Sequence, residues 1–340
     1  MIRKYIPLSY TLKDFDYHLP EELIAQKPAI PRDHSRLLVY DRESGTIRDD
    51  YFYNIGKYLP SQTSLVVNNS KVEKCRLLFN DDKIEIFVTK AVDDRIVEAM
   101  VRPGKKFKPG KTVELAVGLS AKTLNIAEDG IRTIELSRSL DDAITEKYKH
   151  TPFPPYIERD ESLADRYQTI YAKDEGSKAA PTAGLHFTPE LISKLEKQGI
   201  EKKEVTLHVG LGTFAPVKTD KIEDHIMHSE WYQISADQAS ALNRSKTITA
   251  VGTTSVRVLE SAKKIGQKFT ACSGETDIFI TPGYTFQSVD HLITNFHLPK
   301  STLLMLISAF IGFDEMKKVY QHAIKEEYRF YSFGDAMLLL

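Results

Sequence analysis

Between Ala179 and Tyr232 the chain gathers the groups best able to do chemistry. They fall in three runs: Pro181–Thr188 with His186, Leu207–Phe214 with His208, and His225–Trp231 with His225, His228 and Glu230. Four of the ten histidines and the only tryptophan lie here, among glycines that let backbone approach a ligand closely. Histidine titrates near neutrality, so His208 or His228 suits general acid–base work, with Glu230 holding a tautomer. His225-x-x-His228-x-Glu230 can also be arranged as a metal clamp, but its spacing matches neither HExxH nor another specific metal pattern, and no metal is expected. A serine hydrolase is disfavoured because GxSxG is absent. Cys75 and Cys272 are far apart and near no histidine in sequence, which argues against a zinc cage, a disulfide framework or a cysteine nucleophile.

Other segments must bring partners to these groups. Thr247–Val251 reads as a buried strand running into Gly252-Thr253-Thr254-Ser255 and a helix over 256–264, a geometry that aims N–H groups at an anion. Neither GxGxxG nor GxxxxGK[ST] is present, so dinucleotide and Walker-type binding are unsupported. Arg257 and Glu260, one helical turn apart, fit a surface ion pair. A strand over 291–294 leads into Asn295-Phe296-His297, and one over 64–67 into Asn68-Asn69-Ser70-Lys71, either binding groups or a capped turn. Tyr328–Met337 is dense in aromatics, as core or as a stacking platform, and its Arg329 and Asp335 need partners if buried. Further strands are expected over 36–40, 205–209 and 277–280. Helices are expected over 20–26, 55–59, 140–149, 163–172, 188–198, 235–245, 301–312 and 314–327, with Thr188, Ser235, Ser301 and Asp314 as caps.

From Val72 to about Ser137 the texture changes to short β runs over 83–91, 96–102, 112–117, 121–127 and 131–137, punctuated by Pro109-Gly110 and Asp129-Gly130. Almost no helix interrupts them, so a small barrel or sandwich inserted into the α/β pattern is expected. Arg102–Lys111 carries five cations (Arg102, Lys105, Lys106, Lys108 and Lys111), one aromatic and no acid. It is either a solvated hairpin or a grip on a phosphate backbone, with Phe107 against a base or sugar. Thr151–Ile157, rich in proline, returns the chain to the main domain.

At 340 residues the length suits two domains, and a net charge of −1 argues against a uniformly basic nucleic-acid-coating surface. Met1 to Tyr10 lacks the apolar core of a signal peptide, and the longest apolar run, over 302–313, is too short to span a bilayer. A cytoplasmic protein without membrane attachment is expected.

With these runs laid out, the chain resembles the S-adenosylmethionine:tRNA ribosyltransferase-isomerase family of queuosine biosynthesis. The resemblance covers Asp14 to Met337 and rests on Asp14–Pro20, Ser35–Leu38, Val67–Val72, Pro154–Ile157, Ala180–Phe187, Val205–Gly210, His225–Glu230, Ala250–Arg257, Thr294–Pro299 and Tyr328–Met337. Glu73-Lys74-Cys75 and a shortened connection over 243–247 depart from the pattern. The resemblance implies a mixed α/β fold, with an α/β catalytic domain over 1–71 and 152–340 and an inserted antiparallel β-barrel over 72–151. It implies a transferase that consumes S-adenosylmethionine as co-substrate, with no separate cofactor. The ribosyl moiety is transferred and isomerised onto the 7-aminomethyl-7-deazaguanine at the tRNA wobble position, giving epoxyqueuosine-tRNA, adenine and methionine. The partners implied are a tRNA anticodon stem-loop and S-adenosylmethionine, the protein being a monomer or weak dimer.

On that reading His208 or His228 is the base, oriented by Glu230, and His186 or Asp335 assists adenine. Thr182, Thr254, Arg257, Asn295 and His297 surround the methionine or ribose, Arg257 as a carboxylate clamp. Arg102, Lys105, Lys106, Lys108 and Arg329 meet the tRNA. Two other classes use some of the same features: a methyltransferase, which lacks its Gly-rich fingerprint here, and a non-catalytic RNA-binding protein, which leaves the histidine-rich stretch without a purpose.

Overall fold

The protein is described by a computed structural model covering residues 10–210, 212, 217 and 219–340. Leu211, Thr213 and Phe214 of the glycine-containing run lie outside the described residues. The fold is mixed α/β, and the chain divides into two compact units: one made of residues through Lys71, Pro155–Glu158 and Asp165–Leu340, the other of Val72–Pro154 and Arg159–Ala164.

The first unit is built on a nine-stranded sheet. In chain order its strands are β1 (Arg36–Asp41), β2 (Thr46–Tyr51), β3 (Thr63–Asn68), β4 (Glu201–Leu207), β5 (Glu230–Ile234), β6 (Thr247–Val251), β7 (Cys272–Thr276), β8 (His291–Asn295) and β9 (Ala336–Leu339). In space they run β7-β5-β4-β3-β6-β8-β9-β1-β2. The central four, β4-β3-β6-β8, are parallel, in register at Val251 with Val67 and with Ile293. These strands are runs such as Leu65-Val66-Val67 because both faces are covered. Val66, Ala250, Leu292 and Leu38 face one apolar layer, and Leu65, Val67, Val251, Ile293 and Leu37 face the other.

The first layer is closed by α2 (Ala236–Leu242), α3 (Gly252–Ser261), α4 (Thr302–Ile311) and α5 (Phe313–Lys325), the second by α1 (Pro189–Lys197) and the 3-10 turn Phe52–Lys57. Thr188, Ser235 and Ser301 cap α1, α2 and α4 through their hydroxyls. Gly312, at φ 95°, supplies the break between α4 and α5, and Asp314 sits inside the first turn of α5 instead of capping it.

Several expected helices are shorter. Residues 20–26 and 163–172 form only the 3-10 turns Glu21–Leu23 and Glu161–Tyr167, and 140–149 narrows to the helical turn Ala143–Glu146 before a strand at Lys149–His150. Residues 277–280 are not a strand; β7 precedes them at Cys272–Thr276.

The second unit is a seven-stranded antiparallel ladder. Its order is Lys149–His150, Arg76–Phe79, Ile84–Ala91, Ile96–Arg102, Arg132–Leu136, Leu119–Ile126 and Thr112–Ala116. Alternate residues such as Ile84 and Ile86, Val97 and Ala99, Leu119 and Ala121, and Ile134 and Leu136 are buried on one face. Phe107 is fully buried, so it anchors the basic loop into this core and does not stack on a base or sugar.

Candidate active site

Because β4, β3, β6 and β8 are parallel, the residues that follow them leave the sheet along one edge, the edge where open α/β sheets bind ligands. Beyond β6, Gly252 turns directly into α3 at φ 84°, a conformation that glycine takes without strain. Beyond β8 come Phe296 and His297. Beyond β4 come His208 and Val209, and beyond β3 comes Asn69. Asn68 is committed to the scaffold: its side chain accepts from Leu207 N and donates to Leu207 O, both at 3.0 Å. Asn69 likewise serves Thr206 and Asp174, and Ser70–Val72 continues as a short strand beside Asp174–Ser177, so the segment is scaffold and not the expected capped turn.

A cleft open to solvent occupies this edge. It is lined by Ala179–Ala183, Val209, Gly252–Thr254 and Thr294–Leu298, with Tyr156, Tyr331 and Ser332 closing it. Four expected ligand contacts therefore meet in one place: Thr182, Thr254, Asn295 and His297. Thr254 Oγ1 is buried in this wall without a hydrogen-bond partner. Asn295 Nδ2 donates to Tyr331 O at 2.8 Å. Burial pushes the His297 imidazole down to about 3, so it is neutral, with Nε2 2.9 Å from Thr294 Oγ1.

His208, His228, Glu230 and Arg257 form a neighbouring group outside this lining, joined to it through Val209 and α3. Thr254 and Arg257 are three residues apart on α3, about 4.5 Å along its axis. The Arg257 guanidinium donates to Glu230 Oε2 and, at 3.2 Å, to Thr276 O, while Glu230 Oε1 accepts from Gly210 N at 2.7 Å. Both side chains are buried. This overturns one expectation. Arg257 does not pair with Glu260 on the surface, since Glu260 accepts from Tyr284 and from the backbone of Gln287 and Ser288. The parts expected of Arg257 toward a ligand carboxylate and of Glu230 toward a histidine are shared with this buried ion pair.

The two histidines lie against glycines. The His208 ring lies tilted against Trp231, with centroids 4.9 Å apart, and fills the space over Gly176, where a Cβ would stand 2.5 Å from Nδ1. His228, exposed, covers Gly212 in the same way, at 2.2 Å from Cδ2.

His186 and Asp335 are buried behind the cleft. Ser35 Oγ sits 2.7 Å from His186 Nδ1. Burial holds the imidazole down to about 4, partly offset by Asp335 and Asn295 beside it. A neutral, weakly basic ring of this kind orients neighbours better than it moves protons. Asp335, 1% exposed, accepts from Arg36 N and Arg329 Nη2 through Oδ1 and from Arg329 N through Oδ2. These donors tie the Asp335 carboxylate to the backbone at Arg36 and Arg329 and make it a structural anchor. Arg329 spends part of its guanidinium on that anchor. In the second unit Lys105, Lys106 and Lys108 are exposed, and Arg102 pairs with Glu85 at 3.1 Å.

Sequence reasoning did not single out Tyr156 or Tyr331 as wall residues. Their signal was the two tyrosines in the proline-rich return segment and the C-terminal aromatic run, read there as linker and core.

The chain matches the family described as "Queuosine biosynthesis protein" over residues 12–339. It is similar to the S-adenosylmethionine:tRNA ribosyltransferase-isomerase of Desulfitobacterium hafniense, 47% identical over 97% of this chain and 99% of the relative. The protein of that name from Carboxydothermus hydrogenoformans is 49% identical over the same shares. Among solved structures it resembles the S-adenosylmethionine tRNA ribosyltransferase of Thermotoga maritima, with a TM-score of 0.56 at 39% identity, covering 96% of this chain and 100% of that one. With blocks from the whole length meeting at one sheet edge and relatives alike from end to end, the chain belongs to the queuosine biosynthesis protein family.

Proposed function

We propose that the protein is an S-adenosylmethionine:tRNA ribosyltransferase-isomerase. It transfers and isomerises the ribosyl moiety of S-adenosylmethionine onto the 7-aminomethyl-7-deazaguanine of a tRNA anticodon loop, giving epoxyqueuosine-tRNA, adenine and methionine. It works in the cytoplasm as a monomer or weak dimer, and S-adenosylmethionine is a co-substrate with no further cofactor. The observation that carries this reading is that Ala180–Ala183, Gly252–Thr254 and Asn295–Leu298, distant in sequence, line one cleft at the carboxyl edge of a parallel sheet.

The chemistry assigns work to these groups. The sulfonium acidifies the C5′ protons, and a base must remove one; His208 or His228 takes this part. The Arg257–Glu230 pair holds Gly210 beside them and so fixes the wall from which they project. With Arg257 engaged, the methionine carboxylate is received by the N–H groups that open α3 and by Thr254 Oγ1, while Thr182, Asn295 and His297 face the ribose. His186 positions Asn295. The second unit is the family's inserted barrel, and Lys105, Lys106 and Lys108 meet tRNA phosphates from the loop that Phe107 anchors, with Arg102 and Arg329 contributing charge.

Incubation with S-adenosylmethionine and tRNA carrying the aminomethyl base, read by mass spectrometry, releases free adenine and methionine. Adenine no higher than in a no-enzyme control overturns the proposal. His208→Ala and His228→Ala test the base: the residue that serves loses adenine release while folding is kept, and parental rates in both variants refute the assignment.

A further inference from the structure

Among the described residues lining the cleft, none carries a formal charge: the polar groups are hydroxyls, Asn295 and the neutral His297. On the functional reading above, on which this inference rests, the cleft must nonetheless seat a trialkylsulfonium cation. A carboxylate against the sulfur would supply affinity but would damp the acidity of the C5′ protons that the reaction needs. An aromatic face attracts a cation through its quadrupole and leaves the formal charge uncompensated.

We propose that the rings of Tyr156 and Tyr331 are the cradle for that sulfonium. They are far apart in the sequence and meet in the cleft wall with centroids 4.7 Å apart and planes at 51°. At this separation the rings touch each other, and their 51° tilt opens a V on one side whose two faces can meet a compact cation, whereas a purine slot needs separated, parallel faces. Each ring is held in place. Tyr156 hydrogen-bonds through its hydroxyl to Ser332 Oγ at 2.9 Å, and its carbonyl accepts from Gln26 Nε2 at 2.9 Å. Tyr331 is held through its backbone: its N–H donates to Phe296 O, and its carbonyl accepts from Asn295 Nδ2 and Gly334 N. Its φ is 71°, a left-handed conformation that a tyrosine keeps only where its surroundings impose it. These bonds tie the ring's position to Asn295, so the residue beside the ribose also sets the cradle.

The test is calorimetric titration of the full chain, without tRNA, by S-adenosylmethionine and by S-adenosylhomocysteine, which shares the adenosine and amino-acid parts but has a neutral thioether. The parent binds the sulfonium about tenfold tighter than the thioether. Tyr156→Leu brings that ratio close to one by weakening the sulfonium ligand selectively, Tyr156→Phe keeps most of it, and Tyr331→Leu acts like Tyr156→Leu. Tyr156 is only half-buried, so its variants remain informative if Tyr331→Leu does not fold. An unchanged ratio in Tyr156→Leu, or equal weakening of both ligands, overturns the cradle while leaving the functional reading intact; the second result would place adenine on the rings. A parent that binds neither ligand overturns the cradle as a site of the tRNA-free protein, and the adenine-release assay decides the functional reading separately.

Discussion

Arg257→Ala tests how the site is held. The Arg257 and Glu230 side chains are 7% and 3% exposed, so neither charge has water to fall back on. Removing one member of a buried pair costs about 3–5 kcal/mol, because the survivor stays desolvated without its counter-charge. In Arg257→Ala the Glu230 carboxylate keeps Gly210 N, and the Thr276 carbonyl loses its guanidinium donor, which places the expected loss near 4 kcal/mol. For a unit of this size that lowers Tm by roughly 10 °C. Glu230→Gln strands the guanidinium instead and costs a comparable amount. The double variant Arg257→Met/Glu230→Gln removes both charges together, so its cost falls short of the sum of the singles by about 2 kcal/mol. Urea unfolding followed by the fluorescence of Trp231, the residue after Glu230 on β5, reads all three. Single variants within about 0.5 kcal/mol of the parent, or strictly additive losses, refute the pairing as a structural element. Full stability in Arg257→Ala together with a selective loss of S-adenosylmethionine affinity would return Arg257 to the part of a carboxylate clamp.

Stability should fall with acid in a way that names its residues. Burial holds His186 down to about 4 and His297 to about 3, below their ordinary 6.5, so the unfolded chain binds protons first as pH falls. Their contribution is complete above pH 6.5 and is lost toward pH 4 and 3, at about 1.4 kcal/mol per histidine per pH unit. His297→Gln should flatten the slope of unfolding free energy between pH 6 and 4.5 by close to one proton, and an unaltered slope contradicts the assignment. Gly334→Ala would place a Cβ 2.4 Å from Arg329 O and 2.6 Å from the Phe330 carbonyl carbon, backbone atoms that cannot swing away. It should cost about 2–3 kcal/mol by denaturation, and parental stability would show that the turn can relax. Phe107→Ala should destabilise the second unit by about 3–5 kcal/mol, since the ring is core. Neutralising Lys105, Lys106 and Lys108 should leave folding intact and lower the salt slope of tRNA binding by up to about three, whereas unchanged binding removes the loop from the tRNA contact.

What was legible in the sequence was local. The apolar runs of β3, β6 and β8, the hydroxyl caps of α1, α2 and α4, and the hairpins of the second unit each depend on neighbours a few residues away, and each stands where expected. The segments just beyond the parallel strands could be marked as ligand-facing because strand direction alone places them on one edge. Strands whose justification is a distant partner were missed. β9 exists because it lies between β1 and β8, and β5 because it bridges β4 and β7, yet its Glu230-Trp231-Tyr232 reads in isolation as part of a reactive run. Proline-flanked segments such as residues 20–26 were lengthened into helices, although the chain there closes only a 3-10 turn. The charged groups show the same division most sharply. The resemblance placed Arg257, Glu230, Asp335 and Arg329 near chemistry, but whether each faces a substrate or another side chain depends on what the fold sets against it. For Arg257 the candidate one turn away on its own helix was Glu260, and the partner chosen lies 27 positions earlier, on β5. That choice sets the guanidinium against Glu230, and the described lining of the cleft beside it carries no formal charge.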